Sequence, residues 1–142
     1  MKNLGMKQIV SVLLVIFAGA GTRFLCTEFL DRGKGLSDAL RTTAEETNKG
    51  LPAMIDDETR IDSLSAGENF LQYNYSMVKH TGKDLDIERI KSDLRPKILE
   101  QIRKNKAMQI FRENGVRLIY AYKDRNGTPL FSLEFTKDDY GK

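Results

Sequence analysis

Four acids crowd one short segment, with Asp56, Asp57, Glu58 and Asp62 all lying in IDDETRIDS between Ile55 and Ser63. A hard cation such as calcium takes about six to eight oxygen ligands. This spacing lacks the turn glycine and the closing glutamate of a calcium loop, and Arg60 stands in its middle. Pairing of Arg60 with neighbouring carboxylates on a strand face is therefore the expected use. Paired acids also serve glycoside hydrolysis, but only across a substrate groove that a small domain does not provide. His80 is the sole histidine and Cys26 the sole cysteine, which leaves no material for a His-based triad, a zinc site or an internal disulfide. GxSxG, a phosphate-cradling glycine loop and CxxC are all missing from the sequence. A non-catalytic protein without cofactor or metal is expected, and a small hydrolase is the remote alternative. His80, beside Lys79, Thr81 and Gly82, is expected to sit exposed in a turn.

Two further groups suit recognition. Between Arg89 and Lys106 lie seven basic residues, among them Arg95, Lys97, Arg103 and Lys104, against only Asp93 and Glu100. Such a face suits anionic lipid or an acidic partner, and its plain alternative is a solvated helix surface. Tyr73, Tyr75, Tyr120 and Tyr122 occupy alternate positions of two predicted strands. Core packing is their favoured use; if one aromatic set stays uncovered, Tyr120 or Tyr122 contributes to a protein-binding surface.

These residues belong to a chain of 142 residues with 40% hydrophobic and 30% charged content, a composition that suits one small folded domain and excludes a disordered one. The net charge of +3 is too slight to imply nucleic acid.

The compartment follows from the N-terminus. Lys2 and Lys7 precede an uncharged run of 15 residues from Gln8 to Thr22, closed by Arg23. Two readings stand. The small residues Ala18, Gly19 and Ala20 fit a signal peptide cleaved after Ala20, which would release a secreted periplasmic inhibitor or binding protein. Alternatively Arg23 snorkels, Phe24, Leu25 and Cys26 extend the apolar stretch to about 20 residues, and the segment stays as an anchor. The anchor is favoured because the helical pattern runs on through Phe29 and Leu30. Lys2 and Lys7 have no acidic neighbours, so the N-terminus stays cytoplasmic and the rest of the chain is periplasmic. Cys26 follows Arg23, Phe24 and Leu25, so it does not read as a lipidation site.

Residues 1–33 are thus expected to form the membrane anchor or signal, residues 34–50 a mostly polar helical spacer, and residues 51–142 a periplasmic α+β domain. In the spacer, Ser37 reads as N-cap and Gly50 as the stop. Alternation from Met54 to Ser65 and from Phe70 to Lys79 predicts one hairpin; Val116–Lys123, the DRNG turn and Thr128–Lys137 predict another. Between them, Leu85, Ile87, Ile90, Leu94, Ile98 and Ile102 mark an amphipathic helix, with a kink or restart expected near Ser92 to Pro96. A shorter helix ends at Asn114-Gly115. The expected architecture is a membrane helix followed by an antiparallel sheet of two hairpins, with helices on one face.

Several of these stretches resemble a group of small bacterial envelope proteins: LP-x-M-I-D-x-E-T-R-x-D-S at Leu51 to Ser63, Y-x-Y at Tyr73 to Tyr75, N-G-V-x-L-x-Y-x-Y at Asn114 to Tyr122, and D-x-x-G at Asp124 to Gly127. Members often carry one cysteine before the second helix and another in a D-C-G ending. RKNKAMQ and DDYGK contain none here, so the disulfide that the resemblance implies is absent. The resemblance implies an envelope location and no activity. The expected function is that of a non-catalytic, membrane-anchored envelope accessory or interaction module, whose partners are the inner membrane and another envelope protein, not nucleic acid.

Overall fold

The computed structural model describes residues 35–141. Helix α1 (Leu36–Asn48) leads into β1 (Ala53–Met54), β2 (Thr59–Ala66) and β3 (Phe70–Met77); α2 (Ile87–Lys104) and α3 (Gln109–Glu113) precede β4 (Arg117–Lys123), β5 (Pro129–Phe135) and α4 (Lys137–Tyr140). The five strands form one α+β sheet in sequence order. The anchor or signal read on residues 1–33 lies outside the described residues, among which no helix is long and apolar enough to cross a membrane.

Both predicted hairpins form, but the sheet is mixed rather than antiparallel, because β3 and β4 pair in parallel from Phe70 opposite Arg117 to Ser76 opposite Lys123. Helix α2 has 18 residues, about 27 Å at ~1.5 Å per residue, enough to carry the chain back to the end where β3 began. A strand starting there must run parallel to β3.

Pro96 sits inside α2 without breaking it. The expected restart does not occur, since Pro96 and Ser92 are both exposed and water can satisfy the Ser92 carbonyl that the proline leaves unbonded. Asp86 caps the start by accepting from the Arg89 N–H at 3.2 Å. Arg112 donates to the carbonyls of Ile102 and Asn105 at the other end, a cation on terminal carbonyls.

Helix α1 is part of the domain and not a spacer. Ala39, Leu40, Thr43 and Ala44 are buried, and the small residues let the helix approach β2 closely. Its last residue, Asn48, accepts from the Leu64 N–H at 2.7 Å and donates to the Leu64 carbonyl at 2.9 Å. One side chain thus substitutes for a neighbouring strand. A bulge at Asp62, between Ile61 and Ser63, shifts the alternation of β2 so that Thr59, Ile61 and Leu64 all point inward.

Candidate functional site

Register places four tyrosines on the covered face of the parallel pair. Tyr73 stands opposite Tyr120 and Tyr75 opposite Tyr122, with ring centroids 4.8 and 4.9 Å apart, and Phe131 of β5 continues the row 4.7 Å from Tyr122. Tyr120 and Tyr122 are buried under the helices, so packing accounts for them and no exposed aromatic patch forms there. Burial raises the pKa of Tyr75, Tyr120 and Tyr122, with the neighbouring phenols adding to it at Tyr75 and Tyr120 and the Asp56 charge at Tyr122. The hydroxyls therefore stay protonated at neutral pH.

Polar side chains collect at the carboxyl end of β3 and β4, where the crossover leaves the sheet. Asp56 lies in the turn between β1 and β2, and its Oδ1 accepts from the N–H groups of Glu58 and Thr59 at 2.7 and 2.8 Å. Its Oδ2 is buried without a partner, as are Thr59 Oγ1, Tyr75 OH and Tyr122 OH. Each such atom costs about 1–3 kcal/mol, a large fraction together of the roughly 5–15 kcal/mol that holds a small domain folded. His80 is buried, against the expected exposed turn. Its Nε2 lies 3.4 Å from Glu58 Oε1, without hydrogen-bond geometry. Asp124 closes this end: its carboxylate accepts from the N–H groups of Asn126, Thr128 and Gly82. Burial pushes its pKa up, but those backbone bonds, with Arg125, outweigh burial and hold it below the usual range.

The predicted basic face is dispersed. Arg95 stacks 4.8 Å over the Phe135 ring and donates to the Glu134 carbonyl and to Asp139. Arg103 donates to the Asp139 carbonyl, so the two arginines tie α2 to the C-terminal turn. Lys104 pairs with Glu100 one turn away at 2.6 Å. Lys97 is half-buried on the same helix. The acidic segment behaves as expected, with Arg60 paired to Asp62, which also accepts from Ser76. No group of three or more metal-ligating side chains occurs among the described residues.

The other face of the sheet carries no helix among the described residues that contributes to the core. Gln72 donates to Asn74 at 2.8 Å, and Asn74 donates to Ser63 and Ser65. Arg117 pairs with Glu134 at 2.8 Å across β4 and β5. This network, half exposed, is a polar surface built on a rigid sheet. Sequence alternation identified its residues but could not show that both helices would choose the opposite face.

The fold recurs in solved structures. A protein of Pseudomonas aeruginosa described as secreted superposes with a TM-score of 0.61 and 18% identity, over 73% of this chain and 91% of that one. The pilotin EpsS of the Vibrio vulnificus type 2 secretion system gives 0.57 and 9% over 73% and 90%, and the type II secretion pilotin AspS of Vibrio cholerae 0.54 and 12% over 72% and 90%. No curated protein matches the sequence significantly. Residues 35–131, from the first helix to the middle of β5, match the family described as "Domain of unknown function (DUF8479)", and the chain belongs to that family.

Proposed function

We propose that this chain is a non-catalytic accessory protein of the bacterial envelope that binds another envelope protein, held at the inner membrane by its N-terminal segment with the folded domain in the periplasm. The shared fold carries the reading, because the similar structures are a protein described as secreted and two pilotins of type II secretion systems. The residues agree with it. Lys2 and Lys7 flank the apolar run on the cytoplasmic side, and the uncovered sheet face supplies a flat, polar, rigid surface of the kind transient partners use. Release after Ala20 is the second reading, favoured by the small residues Ala18, Gly19 and Ala20.

A photo-crosslinking residue placed in cells at Ser132 or Gln72, on the open face, is expected to give a discrete adduct in the membrane fraction that the same probe at Glu45 on α1 does not give. Identical adduct patterns at all three positions would falsify binding through this face. Intact mass decides the anchor: a soluble product beginning at Gly21 replaces it with the secreted form.

A further inference from the structure

The carboxyl end of the parallel pair holds polar atoms that the chain leaves unsatisfied. Thr59 and Tyr75 are fully buried and Tyr122 is 1% exposed, yet their hydroxyls and Asp56 Oδ2 have no hydrogen-bond partner among the described residues. Their residues lie at one end of the sheet, with the three hydroxyl residues on its covered face. Tyr75 and Tyr122 stack face to face in register, Asp56 is tied to the Thr59 backbone, and the Asp56 charge acts on the Tyr122 phenol. Arg60 pairs with Asp62, His80 Nε2 faces Glu58 at 3.4 Å without a hydrogen bond, and among the described residues no basic side chain pairs with Asp56. Asp56 therefore presents a buried carboxylate oxygen with no cation.

The chemistry of a matching guest follows from these atoms. The tyrosine faces cover one another, so the site offers oxygen rims and not a cage of ring faces. Water would meet the hydrogen bonds but leave the carboxylate uncompensated away from solvent. A primary ammonium brings three N–H donors and a positive charge in the volume of a methyl group.

We propose that this end of the sheet is a buried binding site for a primary ammonium group, held by Asp56 Oδ2 and the hydroxyls of Thr59 and Tyr122, with Tyr75 beside them. Entry is past the turn of residues 55–58, where Asp57 is exposed. The ammonium belongs either to a free small amine or to a lysine side chain, and two probes separate these sources.

The full-length chain in detergent is melted in methylammonium chloride, in Nα-acetyl-lysine methylamide hydrochloride and, at matched ionic strength, in tetramethylammonium chloride, which has no N–H. A saturable rise in Tm of about 4 °C or more is expected with methylammonium and none with tetramethylammonium. A rise with the lysine amide supports the site and identifies lysine as a source. Asp56→Asn keeps the Oδ1 acceptor but turns the orphan atom into a donor, and it abolishes the rise. Tyr122→Phe and Thr59→Val each raise the midpoint concentration about ten-fold, the effect of one hydrogen bond to a charged group. Equal melting in all three salts overturns the proposal. A Tyr122→Phe protein whose midpoint concentration equals the parent's also overturns it, because that hydroxyl then takes no part in holding the amine. The envelope reading rests on other residues, so either can fail alone.

Discussion

The two faces of the sheet use the same strands for opposite ends. On the covered face Leu71, Leu118, Leu133 and Phe135 are buried with the four tyrosines beneath α1 and α2, so its energetics are those of removing apolar surface from water. On the open face the neighbouring positions Gln72, Asn74, Ser132 and Glu134 hydrogen-bond along and across strands or meet solvent. Side chains at i and i+1 point to opposite faces, so each strand supplies both environments at once. Stability belongs to one face, which leaves the side chains of the other free to vary. The polar cluster at Asp56 departs from that division, because it places unsatisfied oxygens on the apolar side.

Substitutions on the two faces test the contrast directly. Leu118→Ala, at a fully buried position, should lower the unfolding free energy by about 2–5 kcal/mol, whereas Ser132→Ala on β5 should stay within about 0.5 kcal/mol; chemical denaturation measures both, and equal losses would erase the distinction. Asn48→Ala should cost about 1–3 kcal/mol, since it strips both partners from the Leu64 backbone at the sheet edge. Intact stability there would mean that water replaces the side chain. A pH-dependent effect is expected at Asp124. Its folded pKa is depressed, so its contribution is present above the unfolded value and is lost as pH falls through the folded one. Asp124→Asn should therefore lower Tm at neutral pH and flatten the loss of Tm on acidification, and an unchanged acid slope would show that other carboxylates set it.

Much of this molecule was legible before folding, and the failures share a cause. Alternation located β3, β4 and β5 and sorted their residues into two sides because strand period is a local property, although which side of β4 would be covered stayed open; the isoleucine and leucine stripe of α2 was equally plain. The DRNG turn was legible too, with Gly127 at φ 82° where only glycine sits without strain. Three features misled. Pro96 suggests a restart, which the solvent-facing turn makes unnecessary because water can take the Ser92 carbonyl. The narrow stripe of α1 reads as weak packing, although small residues allow a close approach. His80 has turn-forming neighbours, yet it is buried, with Glu58 of the 55–58 turn 3.4 Å from its ring.

The amino-acid sequence by itself determined the four longer strands, the two longer helices, the two alternating sides of each strand and the shortage of groups for catalysis, since these depend on residue type and spacing within a few positions. The tertiary structure alone decided three other things: the parallel join of β3 to β4, the use of Asn48 as a surrogate strand partner, and the gathering of Asp56, Thr59, Tyr75 and Tyr122 at one end. Each depends on residues far apart in the chain meeting when α2 returns and β2 bulges, and such long-range geometry leaves no local period to read.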